Sequence, residues 1–407
     1  MFFVFFNHTH FDVLGIYFHW PFCLSKCIYC DFGSIVVDDK KFSLDFQQTY
    51  AECCKKQLLY FKKKINQDDT TEYVGSIYFG GGTPSLIHVE IIKDLISFVK
   101  QEFDVATNCE ITIEANPTSC CDEKFSKLYQ YGVNRISIGV QSFDDIELSF
   151  LGRKHSSQEA INTIENAKKI FPKWSFDLIY GLPRQSLEKW LKELQFSMNF
   201  QPKHISLYTL IVEKNTLLGK MVANGIVIPK SDDEMGAFYD ATNNFIKQQY
   251  AVNNIRQYEV SNYATKEHES THNLTYWKYN NYIGIGAGAH GRIKRLNSNT
   301  IFETICIKNP QKWITNIQKG GNGLHIDNEL LKQEMAEEII IMGLRTIYGI
   351  NIIDIQKRFG LNIMDFIHLE TLQKFINEGL MRLDNNTIYA TEKGLSLLNS
   401  IICNIIK

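Results

Sequence analysis

Three of the ten cysteines lie within eight residues of one another, at Cys23, Cys27 and Cys30. Thiolates at this spacing on a loop can bind three corners of an iron–sulfur cube and leave the fourth iron without a cysteine ligand. An open iron can be chelated by S-adenosylmethionine (SAM), and an electron from the cluster can then cleave the sulfonium. The alternatives are a zinc site completed by His19 or Asp31, or cysteines that are only buried filler.

The other seven cysteines show no metal-binding spacing. Disulfides form in oxidising compartments, and the sequence shows no signal peptide that would predict one. The ten cysteines therefore favour reduced thiols over a disulfide framework. We therefore predict that these seven are buried apolar filler: Cys53, Cys54, Cys109, Cys120, Cys121, Cys306 and Cys403.

The composition is that of an ordinary globular protein. The 407 residues include 44% hydrophobic and 22% charged residues, and the formal net charge is -2. This length predicts one large domain with a smaller one, and the balanced charge gives no reason to expect nucleic acid or an anionic membrane as a partner. Residues 1–14 begin with a Phe-rich run that is too short for a signal peptide or a membrane span, so we interpret them as an N-terminal extension and predict a cytoplasmic protein.

Short apolar runs alternate with amphipathic segments between residues 15 and about 210, which predicts repeated βα units and a parallel sheet. Six units predict an incomplete TIM-like (β/α)6 barrel of the α/β class. The predicted strands are 15–19, 76–79, 110–114, 135–140, 175–180 and 204–210. The predicted helices are 45–63, 88–103, 122–131, 158–170, 187–200 and 232–249, and the fourth opens with a capping box of Ser156 and Glu159.

Polar residues and glycines follow these strands at their carboxyl ends. In such barrels the loops after the strands build the active site. After the first strand come the three cysteines; after the second, Gly82 and Thr83; the third ends at Glu114. Gln141 and Arg153 follow the fourth strand, and Asp177 lies on the fifth.

The alternation weakens beyond residue 210, and we predict that the partial barrel covers residues 15–250. We treat 251–323 as an extension that contains the run Gly284, Gly286 and Gly288, which lacks the spacing of a nucleotide-binding loop. Residues 324–407 predict a C-terminal winged-helix-like α+β domain with helices at 329–344, 351–359 and 363–378, a hairpin at 380–391 turning at 384–386, and a last helix. Its mixed charges do not favour DNA binding.

The cysteine motif, with Tyr29 before its last cysteine, resembles the signature of the radical SAM superfamily. Five further blocks resemble the oxygen-independent coproporphyrinogen III oxidase family, namely 17–23, 80–85, 137–143, 151–155 and 177–183. Within it the chain is most similar to the HemW family of haem chaperones. Phe32 stands where the oxidases carry a fourth cysteine, and His272, Asn273, Tyr276 and Trp277 match the HNxxYW motif that the HemW family associates with haem.

The resemblance implies three cofactors: a [4Fe-4S] cluster on the three cysteines, SAM and haem. It implies SAM contacts from Tyr17, Tyr29, Gly82, Thr83, Glu114, Gln141, Arg153 and Asp177. It also implies partners: a haem acceptor protein, a reductant protein for the cluster, and peripheral membrane association through the acceptor. The alternatives are a true coproporphyrinogen III oxidase and, less favoured, a DNA-binding protein with a structural metal.

Overall fold

A computed structural model describes residues 13–37, 42–65, 72–119, 121–294 and 299–407. Its strands are β1 Val13–Trp20, β2 Phe22–Cys23, β3 Ile35–Val36, β4 Tyr73–Gly81, β5 Val105–Ala115, β6 Arg135–Gln141, β7 Lys173–Tyr180, β8 His204–Thr209, β9 Arg256–Glu259, β10 Asn262–Ala264, β11 Tyr282–Ile285, β12 His290–Lys294, β13 Ile301–Cys306, β14 Leu324–Glu329, β15 Ile350–Asn351, β16 Met381–Asp384 and β17 Thr387–Ala390.

Its α-helices are α1 Leu44–Ile65, α2 Val89–Glu102, α3 Asp122–Gln130, α4 Asp145–Leu151, α5 Ser157–Ile170, α6 Leu187–Ser197, α7 Leu217–Ala223, α8 Asp232–Asn253, α9 Thr271–Trp277, α10 Pro310–Gln318, α11 Lys332–Gly343, α12 Ile352–Phe359, α13 Leu369–Asn377, α14 Glu392–Leu395 and α15 Leu398–Ile405.

The predicted partial (β/α)6 TIM-like barrel is confirmed. β1 and β4 to β8 are the six predicted strands, and they lie side by side in parallel. The structure adds a seventh parallel strand, because β11 pairs with the free edge of β1. β12, β13 and β14 extend that edge in antiparallel order, and β10 and β9 extend the other edge.

Most positions of the parallel strands alternate between apolar and polar residues, as in β6, whose sequence is RISIGVQ. Their apolar side chains are buried in the main hydrophobic core, as with Phe18 and Phe79, whose rings stack at 4.9 Å between centroids. The intervening side chains are polar and contact one another on the other face of the sheet, as Tyr78 does with Glu114. Barrels without a ligand cavity fill this face with branched apolar residues, so the polar lining indicates a cavity.

The predicted helices are present, and two local signals are confirmed. Ser156 caps α5 in a capping box with Glu159. The C-terminal hairpin turns at Asn385 and Asn386, which both adopt left-handed backbone angles, as a two-residue turn of this kind requires. The helix predicted at 363–378 is interrupted, because Ile367 bridges to Ile406 and the backbone leaves the helical path there.

The C-terminal elements form a second hydrophobic core of their own, which includes Ile340, Phe359 and Ile388. The three-stranded sheet β15-β17-β16 belongs to it, in the predicted order of helices and hairpin. The strand that precedes it, β14, pairs with β13 in the large sheet.

The remaining cysteines divide into two groups. Cys53, Cys54, Cys109 and Cys306 are buried as predicted, whereas Cys121 and Cys403 are exposed, so the prediction of burial is wrong for these two. Both lie at or next to the polar side of a helix, where packing does not demand an apolar group. Cys120 and residues 1–12 of the predicted N-terminal extension lie outside the described residues. In the described part of the chain no helix is long and apolar enough to cross a membrane.

Candidate functional site at the mouth of the barrel

The cysteine loop connects β2 to β3, two short strands that pair in parallel beyond the carboxyl end of β1. Two backbone hydrogen bonds fix its centre. The Ile28 amide donates to the Leu151 carbonyl at the end of α4 at 3.3 Å, and the Ile28 carbonyl accepts from the Leu218 amide in α7 at 2.8 Å. The loop is therefore held between two elements that the sequence analysis did not predict.

Each of the three thiols meets a polar side chain. The Thr83 hydroxyl lies 3.3 Å from Cys23 Sγ, Arg153 Nη1 lies 3.6 Å from Cys27 Sγ, and the Ser34 hydroxyl lies 3.9 Å from Cys30 Sγ. Burial raises the pKa of the Cys23 and Cys30 thiols, and the nearby Cys27 sulfur raises both further. These donors offset the cost of collecting negative sulfurs in one loop, as a thiolate-bound cluster requires.

The three sulfurs do not converge on one point. Within the described ranges no three His, Cys, Asp or Glu side chains are close enough to share a single metal ion. A cubane takes each thiolate at a different iron, so it does not need convergence. The donor set fits a [4Fe-4S] cluster.

Gly82 packs directly against the cysteine loop. A Cβ at this position would lie 2.9 Å from Cys23 Sγ and 2.8 Å from the Phe22 carbonyl oxygen. The Gly82 and Thr83 amides donate to the Trp20 and Phe22 carbonyls at 2.7 and 3.0 Å. The loop after β4 thus approaches the cysteines as closely as backbone can, and only glycine fits there.

Two carboxylates line the polar face beside this loop. Glu114 accepts from the Tyr78 hydroxyl and the Gly81 amide, both at 3.0 Å, and Asp177 accepts from the Ser137 hydroxyl at 3.3 Å. Burial raises the pKa of Glu114 to about 7 and that of Asp177 to about 6. Neither forms an ion pair with a cation in the described part of the chain, so both could receive a cationic or hydroxyl-bearing ligand.

Gln141 and Arg153 lie next to Asp177, because Gln141 ends β6, which pairs with β7, and Arg153 contacts Gly139 of β6. Gln141 has a left-handed φ of 73°, and Gly152 turns the chain with a φ of 77° so that Arg153 reaches back to donate to the Gly139 carbonyl at 2.6 Å. Gln141 Oε1 and Arg153 Nε are buried without a hydrogen-bond partner among the described residues. A strained backbone and unsatisfied polar atoms at one place indicate a ligand site.

The structure brings two predicted tyrosines to different parts of this region. Tyr17 faces the cavity, where its hydroxyl contacts His19 Nδ1 at 3.0 Å and its ring stacks on Tyr78. Tyr29 packs against Leu151, Ile179 and Leu182 behind the cysteine loop. Its hydroxyl also hydrogen-bonds to the Cys27 side chain, so Tyr29 contacts the cysteine loop directly.

The helix α9 carries the HNxxYW motif and closes the end of the barrel opposite the cysteine loop, here named the floor. Glu110 accepts from the Thr271 and His272 amides at 2.8 and 3.4 Å. The same carboxylate pairs with Arg135 at 3.3 Å and with Lys173 at 3.1 Å. A cavity of about 350 Å³ lies at this end, lined in part by Glu110, Lys173 and Thr271.

His272 points into the barrel and is only 1% exposed. Its Nδ1 contacts the Ser76 hydroxyl at 2.8 Å, its Nε2 contacts the Tyr276 hydroxyl at 2.5 Å, and its ring stacks on Tyr78 at 4.8 Å. Burial lowers the pKa of His272 to about 3. Both ring nitrogens are thus occupied by the protein.

The other motif residues do not join this cluster. Asn273 is partly buried, and its backbone amide donates to the Ser270 hydroxyl. The Trp277 ring lies under the Arg345 guanidinium at 4.8 Å, so it faces the C-terminal domain. The motif therefore spans the junction between the barrel floor and that domain.

Sequence reasoning missed several residues that shape the site. Tyr78, Ser137 and Ser206 hold the two mouth carboxylates, and Glu110 and Arg135 close the floor. The signal was available: these residues occupy the polar positions of alternating strands.

Comparison with known families agrees with this geometry. Residues 17–196 match the radical SAM superfamily, and residues 330–397 match the HemN C-terminal domain. Among solved structures, coproporphyrinogen III oxidase (HemN) from Escherichia coli is similar in fold, with a TM-score of 0.77 and 19% identity over 97% of this chain and 90% of that one.

Two curated relatives are similar along nearly their whole length. Radical S-adenosyl methionine domain-containing protein 1, mitochondrial, from Mus musculus is 34% identical and covers 96% of this chain and 87% of its own. Heme chaperone HemW from Buchnera aphidicola subsp. Schizaphis graminum is 33% identical and covers 96% of this chain and 97% of its own. With the radical SAM barrel and the HemN-type C-terminal domain in place, the chain belongs to the HemW family of the radical SAM superfamily.

Proposed function

We propose that this protein is a haem chaperone that binds a [4Fe-4S] cluster, SAM and haem and delivers haem to an acceptor protein. The observation that carries the proposal is the near full-length similarity to a protein named heme chaperone HemW. Phe32 supports it, because this residue stands in the cysteine loop where the oxidases carry a fourth cysteine, and it is 64% exposed.

In this proposal Cys23, Cys27 and Cys30 would hold the cluster and leave one iron without a cysteine ligand. A bound cluster and SAM would together supply one-electron cleavage of the sulfonium. Arg153 would pair with the SAM carboxylate, and Glu114 would accept from its ammonium group while Gly82 leaves room for the backbone approach. Asp177, Gln141 and Tyr17 would contact the rest of the molecule, with Thr83 donating near the cluster.

Haem binding at the HNxxYW motif requires α9 to rearrange. His272 can ligate iron only after one ring nitrogen leaves Ser76 or Tyr276, since both are occupied. The floor cavity borders Thr271, the residue before His272, and it contains Lys173, whose ammonium could pair with a haem carboxylate. We therefore propose that haem reaches α9 from the floor of the barrel, whereas SAM enters its own site from the mouth.

Haem titration of anaerobically prepared protein tests this proposal. We expect saturable uptake at one haem per chain in the Soret band, and His272→Ala should weaken the affinity about tenfold or more through loss of an axial ligand. His325→Ala is the matched control, because His325 is an exposed histidine of β14 and should leave the titration unchanged. Absence of saturable uptake would refute the proposal, and equal losses in both variants would refute the role of His272.

Coproporphyrinogen III oxidase activity is the competing function, and the similarity in fold to HemN is the observation that favours it. An anaerobic assay with reduced cluster, SAM and coproporphyrinogen III separates the two. We expect no protoporphyrinogen IX. Turnover would replace the chaperone proposal with the oxidase.

A further inference from the structure

The C-terminal domain contacts both ends of α9, the helix of the HNxxYW motif. We propose that four of its side chains, here named the α9 clamp, are positioning residues that hold His272 inside the barrel and thereby set the affinity for haem. The α9 clamp consists of Glu338, Arg345, Tyr348 and Arg358. This inference rests on the proposed function, because it concerns how haem gains its ligand, and the four residues act through α9.

Tyr348 contacts both flanks of α9. Its hydroxyl donates to the two oxygens of the Glu269 carboxylate at 2.7 and 2.6 Å, next to Ser270, the residue that caps the helix. Its ring lies under the Lys278 ammonium at 5.3 Å, at the residue that follows the helix. One aromatic side chain of the C-terminal domain therefore bridges the whole length of α9.

Arg358 holds the exit of α9. Its guanidinium donates to the Lys278 and Tyr279 carbonyls at 3.0 and 2.7 Å and to Asn280 Oδ1 at 2.9 Å. Carbonyls at the end of a helix have no partner within the helix, and a cationic donor stabilises them. The last turn of α9 therefore depends on a side chain of the neighbouring domain.

Tyr279 anchors this exit in the C-terminal domain. The residue belongs to the second hydrophobic core, is only 6% exposed and donates from its hydroxyl to Glu338 at 2.6 Å. Its backbone has a left-handed φ of 54°, which is uncommon for a bulky side chain. Glu338 and Arg358 thus hold a strained turn directly after α9.

The contact between Arg345 and Trp277 is suited to open. The guanidinium lies over the indole ring at 4.8 Å. In the described part of the chain neither Arg345 Nε nor Trp277 Nε1 has a hydrogen-bond partner, although both atoms are buried. Buried donors without acceptors cost free energy, so separation of this contact would recover part of what it loses.

The α9 clamp controls how often His272 is available. His272 must leave Ser76 or Tyr276 before it can ligate iron. A helix of seven residues that is held at both ends cannot move alone, so the clamp must loosen in the same step. The apparent dissociation constant for haem is the intrinsic one divided by the fraction of protein with an open clamp, so a tight clamp weakens binding.

Loosening the clamp should therefore strengthen haem binding. Tyr348→Phe/Arg358→Met removes the bonds to Glu269 and to the acceptors at the exit of α9, while it keeps an apolar group at each position. We expect the haem dissociation constant to fall about threefold or more, and the association rate to rise. Soret titration and stopped-flow absorbance measure the two. Tyr389→Phe/Arg382→Met is the matched control, because these residues lie in the β16–β17 hairpin of the same domain.

Hydrogen exchange of the haem-free protein tests the clamp itself. The amides of residues 268–281 should exchange about tenfold or more faster in the clamp variant, whereas those of β15, β16 and β17 should keep their wild-type rates. A purely structural role would speed exchange throughout the C-terminal domain and lower the haem affinity. That result, or wild-type exchange at α9, would overturn the proposal.

Failure of the chaperone function gives a different pattern. A wild type without saturable haem uptake would refute that function, and the exchange experiment, which needs no haem, would still show whether the clamp holds α9. Faster exchange at α9 with equal haem affinities in wild type, control and clamp variant would overturn the link between the clamp and haem.

Discussion

The two ends of the barrel treat buried charge in opposite ways. At the floor Glu110 is fully engaged, with two backbone amides on one oxygen and Arg135 and Lys173 on the other. At the mouth Glu114 and Asp177 have only neutral donors or distant cations, and their pKa values rise to about 7 and 6. The same sheet carries both sets, so the strands alone do not explain the difference.

The paired carboxylate at the floor stabilises the fold, whereas the carboxylates at the mouth are suited to bind a ligand. A fully paired carboxylate closes the barrel and anchors α9, because removal of any partner would leave a buried charge. Carboxylates without a cation, together with the unsatisfied atoms of Gln141 and Arg153, destabilise the empty mouth. Such a penalty is expected where a ligand supplies the missing partners.

The floor should show the largest effect on stability. Glu110→Leu leaves Arg135 buried without a carboxylate and two amides without an acceptor, so the free energy of unfolding should fall by about 3–5 kcal/mol. Urea denaturation of the cofactor-free protein measures this. If Glu110→Leu fails to fold, Glu110→Gln should still lose more stability than Asp177→Asn at the mouth; the reverse order would contradict the comparison.

At the mouth, a substitution should lower ligand affinity without lowering stability. Glu114→Gln keeps one acceptor for the Gly81 amide, and its NH2 group can donate to the Tyr78 hydroxyl oxygen, but it cannot pair with an ammonium group. SAM affinity should therefore fall about tenfold or more. Burial raises the pKa of Glu114 from 4.5 to about 7, so wild type loses stability as the pH rises through that window. The cofactor-free variant should therefore be more stable than wild type at pH 8, by up to about 3 kcal/mol. Calorimetry measures the SAM affinity, and urea denaturation measures the stability. A variant that loses both stability and affinity would refute the role of Glu114 as a ligand-binding carboxylate.

Two glycines of the cysteine region offer a steric test. Gly82→Ala places a methyl group 2.9 Å from Cys23 Sγ, which should cost about 1–3 kcal/mol and lower the iron content after reconstitution. Gly33→Ala is the matched control, since nothing lies within 4 Å of a Cβ there. Equal iron content in both variants would show that the loop after β4 does not set the cluster geometry.

The pH dependence of SAM binding gives the smallest effect. A bound ammonium favours the ionised form of Glu114, so SAM binding should release a proton below pH 7. The affinity should rise up to about tenfold per pH unit below the pKa and level off near pH 8. Glu114→Gln should flatten most of this rise, and the part that remains should follow the pKa of Asp177, about 6. A wild-type affinity that is constant from pH 5.5 to 8 would remove Glu114 from the site.

The residues predicted for the mouth were recognisable in the sequence because they lie in short motifs. The cysteines and Gly82 lie at or after the ends of strands, Glu114 lies one residue before the end of β5, and parallel strands bring such positions to one edge. α4 escaped prediction because it has only seven residues, Asp145–Leu151, too few for a clear periodicity. Its end nevertheless positions both Arg153 and the cysteine loop.

The floor was not predictable from local pattern. The contacts between His272 and Ser76, and between Glu110 and Thr271, join residues more than 150 positions apart. The sequence shows a histidine next to aromatics, and only the fold shows that its two nitrogens are occupied inside the barrel. The edge strand β11 was missed for the same reason, since its pairing with β1 depends on a distant partner.

Iron and SAM at the mouth remain the central claim. Anaerobic reconstitution with iron and sulfide, followed by metal analysis and electron paramagnetic resonance of the reduced protein with and without SAM, tests it directly. We expect about four irons per chain and a spectrum that changes when SAM is added, because SAM takes the iron that Cys23, Cys27 and Cys30 leave open. Zinc in place of iron, or an iron–sulfur spectrum that ignores SAM, would contradict it.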